Sequence, residues 1–143
     1  MKALDIDSQP CLIHTAGTPK AVLIQLTARH ERKTIDSELS LIEQGSQMGF
    51  VFVGIDLQQW ALSLMPWADE AVARDPEVGR HAIDTLDYVT RRLLPYIYNR
   101  YGQLPCILGG YSLGGLFSLW AASECPLFDA VAAASPSVWI KDW

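Results

Sequence analysis

The chain has 143 residues, half of them hydrophobic and 19% charged, with a formal net charge of −5. One domain is the natural reading, with enough apolar side chains for a core, which argues against disorder. An acidic balance without any block of Lys or Arg gives no footprint for nucleic acid or for an anionic membrane, and leaves a small neutral or cationic partner.

Asp5 and Asp7 sit where a signal peptide would need its apolar core, and no window approaches the ~18 apolar residues of a membrane span, so a cytoplasmic location is expected. Cys11, Cys106 and Cys125 are an odd, widely spaced set without a C-x-x-C pair. They read as reduced packing residues, and neither a metal nor another cofactor is expected.

In chain order, "CLIHTAG" and "AVLIQLTA" read as two strands separated by the Gly17-Thr18-Pro19 turn. Asp36 can then cap a short helix whose Leu39, Ile42 and Leu41 face inward, with Gly45 as its stop. "FVFVGID" is β-branched and aromatic on both faces, as in a strand buried on both sides of a parallel sheet. From Leu57 to Pro76 runs a long connection bearing Trp, Pro and Met, of the kind that often carries function. Ile83, Leu86, Val89, Leu93 and Ile97 then predict a long helix over about residues 79–101, kinked or ended by Pro95. "CILGGY" is the next strand, "LGGLFSLWAASE" the next helix and "FDAVAAAS" a final strand. No repeat or linker divides the chain, so residues 1–143 form a single unit. The alternation predicts an α/β fold with a mostly parallel central sheet, in which sites lie at the carboxyl ends of the strands.

Ser112 falls at such an end. Gly110-Tyr111-Ser112-Leu113-Gly114 fits G-x-S-x-G between a strand and a helix, the setting of a nucleophile elbow. The spacing has a steric cause. A serine in a positive-φ reversal needs small neighbours two residues before and after, here Gly110 and Gly114, so that strand and helix can approach. The Leu113 amide at the start of the helix is then placed to stabilise an oxyanion. A second donor is expected from the loop after the adjacent strand, at Thr27 or Ala28. A phosphate-binding loop would need Lys then Ser/Thr after its second glycine, and a dinucleotide site would need G-x-G; neither is present. The plain alternative is a tight turn without chemistry.

The run "RRLLPYIYNRYGQLPCILGGYSLGGLFSLWAA", followed by "FDAVAAASPSVW", resembles the esterases of the α/β-hydrolase superfamily related to enterochelin esterase and esterase D. The likeness covers the second half of the chain and includes the elbow and Ser135-Pro136-Ser137. Met65-Pro66-Trp67 gives a weaker echo in the first half. The resemblance implies a three-layer α/β sandwich and hydrolysis of a small-molecule carboxylic ester or related acyl substrate, with Ser112 as nucleophile of an acyl-enzyme. It also implies that Trp67, Pro136 and Trp139 lie on loops near the pocket. Ile140 departs from the family, which often has a second aromatic there.

Such hydrolases order their triad Ser, then Asp or Glu, then His. His14, His30 and His81 all precede Ser112. One expectation is therefore that the chain is part of a longer hydrolase, lacking the strands that carry the acid and the histidine. A rewired site, with His30 as base or substrate contact and Asp142 as acid, is a second. A non-catalytic binding relative is a third. His14 is assigned to a strand face and His81 to solvent. Lost strands would leave the final strand as an exposed edge, predicting association between copies.

Overall fold

The computed structural model describes residues 1–28 and 31–143. Strands β1 (Lys2–Ile6), β2 (Gln9–Ala16), β3 (Pro19–Ala28), β4 (Gly49–Leu57), β5 (Cys106–Tyr111) and β6 (Ala130–Ala134) make one sheet in the order β1-β2-β4-β3-β5-β6. Strands β4, β3, β5 and β6 run parallel, while β1 and β2 are antiparallel additions at one side. The mostly parallel sheet matches expectation; β1 does not figure in it. Its sequence, "KALDI", is largely exposed and interrupted by Asp5, as suits a strand with one neighbour.

The turn at Gly17 (φ +56°) does not close a hairpin, because β4 inserts between β2 and β3. Gly49 at the start of β4 permits this: a Cβ there would lie 2.3 Å from the Thr18 carbonyl oxygen. Along β4 the side chains alternate between two cores. Phe50 and Phe52 meet Ile35 and Leu39 of α1 (Ile35–Gly45) on one face. Val51, Val53, Ile55 and Leu57 join the larger core on the other. That larger core is completed by α2 (Trp60–Leu64), α3 (Ala82–Tyr88), α4 (Leu94–Tyr101) and α5 (Leu113–Glu124), so helices cover both faces of the sheet.

Four sequence expectations shift. Helix α1 is preceded by Thr34, whose hydroxyl lies 2.8 Å from Glu31 O and 2.6 Å from Glu38 Oε1, and Asp36 lies inside the first turn rather than capping it. Leu41 points outward and is 68% exposed. Pro95 neither ends nor breaks the helix: α3 passes into α4 through a π-helical turn at Val89–Leu93. A widened turn just before the proline relieves the missing N–H and the clash with the carbonyl four residues back. Leu86, Val89, Leu93 and Ile97 are buried as expected, but the first inward position is Ala82, four residues before Leu86, rather than Ile83. Ala82 is buried and Ile83 is 50% exposed.

On the α1 face, a groove of ≈ 450 Å³ stays open beside α1, lined in part by Leu23, Gln25, Phe52, Ile107 and Ala132. Among the described residues, strand β6 is one edge of the sheet and β1 the other. All three cysteines are free thiols, with Cys11 and Cys106 buried. Among the described residues, no helix is long and apolar enough to cross a membrane.

Candidate active site

Strand β5 ends at Tyr111 and helix α5 begins at Leu113, so one residue makes the reversal. That residue is Ser112, with φ +56° and ψ −115°. A non-glycine residue in this region costs about 1–3 kcal/mol and persists only where its surroundings enforce it. They do so here through the backbone. The Ser112 N–H donates to Ala134 O at 3.0 Å, and its carbonyl accepts from the N–H groups of Leu116 (3.0 Å) and Ser137 (3.1 Å).

The glycines at the elbow answer to close packing. A Cβ on Gly110 would lie 2.7–2.9 Å from three backbone atoms of Gly114. On Gly114 it would press on the Trp60 ring at 3.2 Å, and on Gly115 it would meet the Gly110 carbonyl oxygen and Pro136 at 3.1–3.2 Å. Strand, helix and the loop after β6 thus converge with no room for side chains.

Ser112 Oγ is half-buried and lies 3.0 Å from Ser137 Oγ. Ser137 is 2% exposed and sits in the turn after β6, shaped by Ser135 at φ +43° and by the bonds Val138 N–H to Pro136 O and Ile140 N–H to Ser137 O. Sequence reasoning passed over Ser137 as a partner of Ser112. The available signal was a Ser-Pro-Ser at the carboxyl end of the strand beside the elbow.

Leu113 is the first residue of α5, and its amide, like every first-turn amide, has no acceptor within the helix. Strand β3 pairs with β5 up to Leu26–Gly110, which brings the next residues of β3 to the same end of the sheet. Thr27 is buried and its hydroxyl donates across to Ile55 O at 2.7 Å. The Ala28 N–H donates to Glu31 Oε2 at 2.8 Å, so this amide already holds a carboxylate oxygen. His30 lies outside the described residues.

The described histidines are engaged elsewhere. His14 is on β2, three strands from β5 and so about 14 Å away at normal strand spacing, with Nε2 2.6 Å from Glu43 Oε1. His81 is exposed, 2.8 Å from Asp84 Oδ2, and its pKa is raised by Asp84 and then Glu77. The Trp67 indole donates to Lys141 O at 2.7 Å and stacks on Trp143. This fastens the residue 57–76 connection to the segment after β6. Trp139 is 68% exposed, and Asp142 is exposed at φ +66°. The sequence did not single out Trp60, yet its ring covers the first turn of α5.

Residues 45–142 match the family described as "Putative esterase". Among solved structures, the chain is similar to an IroE-like serine hydrolase from Shewanella oneidensis, with a TM-score of 0.79 and 21% identity over 96% of this chain and 51% of that one. It is also similar to the siderophore hydrolase EstA from Aspergillus nidulans (TM-score 0.67, 23% identity, 91% of this chain and 55% of that). The enterochelin esterase from Shigella flexneri gives a TM-score of 0.70 and 20% identity over 96% of this chain and 36% of that. These likenesses show a shared fold. The chain spans about half the length of the first of these structures, and no curated protein matches it.

Proposed function

The chain belongs to the Putative esterase family, and from that premise we propose that it carries the nucleophile of a serine hydrolase acting on carboxylic esters or related acyl substrates. Ser112 Oγ attacks the acyl carbon and gives up its proton to a base. The bond to the leaving alcohol breaks as the alcohol takes a proton, and water then cleaves the acyl-serine to release the acid. The observation that carries this is Ser112 itself: a strained, positive-φ serine between strand and helix, at the carboxyl end of a parallel strand.

The developing oxyanion is assigned to the Leu113 amide, supported by the positive end of α5, and to a second amide at Thr27 or Ala28. If Ala28 serves, Glu31 must release it, because the substrate oxygen and the Glu31 carboxylate would claim the same N–H. Trp67 and Trp139 are assigned to the substrate side of the loops. Neither His14 nor His81 is available as the base.

That last observation favours a second reading, a binding relative that keeps the elbow without turnover. A fluorophosphonate separates the two. Incubated with the full-length product of the coding frame, it should add one phosphonyl group at Ser112, found by intact mass and peptide mapping, and none in Ser112→Ala. Hydrolysis of a p-nitrophenyl short-chain ester should be lost in the same variant. Full-length, folded protein that takes no label would exclude the hydrolase.

A further inference from the structure

The contact between Ser112 and Ser137 has an unusual hydrogen-bond inventory. Ser137 is 2% exposed, and the contact recorded for its hydroxyl is Ser112 Oγ at 3.0 Å. A hydroxyl brings one proton and two acceptor sites. If Ser112 donates its proton to Ser137, the proton of the buried Ser137 hydroxyl has no acceptor among the described residues. If Ser137 donates to Ser112, both are satisfied: the buried donor is spent on Ser112 Oγ, and the Ser112 proton is free to leave towards a base.

The backbone enforces the same arrangement. The Ser137 N–H bonds to the Ser112 carbonyl at 3.1 Å, and Pro136 is wedged against Gly115, so the Ser137 side chain is positioned by the residue it serves. We propose that Ser137 is a catalytic residue whose hydroxyl donates to Ser112 Oγ, lowers the proton affinity of that oxygen and orients its lone pairs. The proposal rests on Ser112 being the nucleophile. A donor of this type gains strength as negative charge builds on its acceptor, since a hydrogen bond to an ionised group is about twice as strong as a neutral one.

The test places a titratable atom at the nucleophile position. In Ser112→Cys, the thiol pKa is read from the pH dependence of alkylation by iodoacetamide, followed by peptide mapping so that Cys11, Cys106 and Cys125 are counted separately. Adding Ser137→Ala should raise that pKa by about one unit and slow alkylation about tenfold at a pH below it. Ser137→Gly removes the same hydroxyl by another route and should give the same shift, which covers the case in which one double variant does not fold. Ser118→Ala is the structural control. Ser118 is equally buried in α5, but its hydroxyl donates to Gly114 O at 2.7 Å, so its loss should leave the Ser112→Cys thiol unchanged.

A thiol pKa that stays within about 0.2 unit of the Ser112→Cys value, against the shift of about one unit expected, would overturn the Ser137 assignment. The readout needs no ester turnover, so it separates the two proposals. A shifted thiol in a protein that takes no fluorophosphonate removes the hydrolase and keeps the hydroxyl couple, but strips it of its catalytic role. An unshifted thiol in a protein that labels removes the couple alone.

Discussion

Replacing Gly110 by alanine tests the elbow most directly. The new methyl would lie 2.7 Å from the Gly114 carbonyl carbon, 2.8 Å from its Cα and 2.9 Å from its oxygen. Unstrained contacts of this kind fall at about 3.5–4.0 Å, so even against the lower bound the shortfall is roughly 0.6–0.8 Å for three backbone atoms at once. No side chain can turn aside to absorb it. Either β5 or the first turn of α5 must move, and α5 is backed by Trp60 and Leu26 on its other side. Overpacking of this degree costs about 2 kcal/mol, which for a chain of this size lowers Tm by about 6–10 °C. A displacement near 1 Å at Ser112, the proposed nucleophile, should also slow fluorophosphonate labelling about 100-fold. Urea unfolding followed by circular dichroism measures the first effect and a labelling time course the second. Gly45→Ala is the internal comparison. A Cβ there meets nothing within 4 Å, and the residue ends α1, so this change should be neutral or stabilise by about 0.5 kcal/mol. If Gly110→Ala matched the parent in Tm and labelling rate, the steric account of the motif would be wrong.

The strain at Ser112 predicts that Ser112→Gly is more stable than Ser112→Ala by about 1 kcal/mol, since both lose the hydroxyl but only glycine adopts φ +56° freely; equal unfolding midpoints would contradict this. Burial, and then Asp129, push the Cys106 thiol up to about 12 from an ordinary 9.0. Its neutral form is therefore favoured by folding. The contribution is complete below pH 9 and is lost as pH rises from 9 towards 12, where the unfolded chain can ionise and the folded one cannot. Cys106→Val should flatten the fall in stability measured by urea titration between pH 8.5 and 10.5. An identical slope in both proteins would assign the alkaline loss to other groups. Iodoacetamide at pH 8 should modify half-buried Cys125 well ahead of Cys11 and Cys106, as peptide mapping will show.

What could be read from the sequence follows from how local each signal is. The elbow was legible because its steric demand is written within five consecutive residues, Gly110 to Gly114. Strands β4 and β5 were legible because burial on two faces leaves an unbroken apolar run. Strand β1 was not, because an outer strand exposes most of its residues and carries Asp5 without cost. In α3 Leu86 faces inward as expected and only Ile83 does not: Ala82 and Ile83 lie four and three residues before Leu86, and periodicity alone does not choose between them. Ser137 was visible only as part of a Ser-Pro-Ser run, and its pairing with Ser112 was not legible for a different reason. Its meeting with Ser112 depends on β6 pairing beside β5, and a contact across 25 residues leaves no periodic trace.

The lacing of Ser112 to the far side of β6 also sets an order of events during synthesis. The elbow serine is made 22 residues before Ala134 and 25 before Ser137, the groups that take its N–H and bond its carbonyl. Until they exist, only part of the backbone bonding that enforces its unfavourable dihedral angles is in place, and the chain there is free to relax. Ser112 is thus translated before the groups that hold its backbone, and takes its final conformation only after them. A ribosome stalled between the two would hold a chain that contains the whole G-x-S-x-G motif without the bonds from Ala134 and Ser137 that fix its serine.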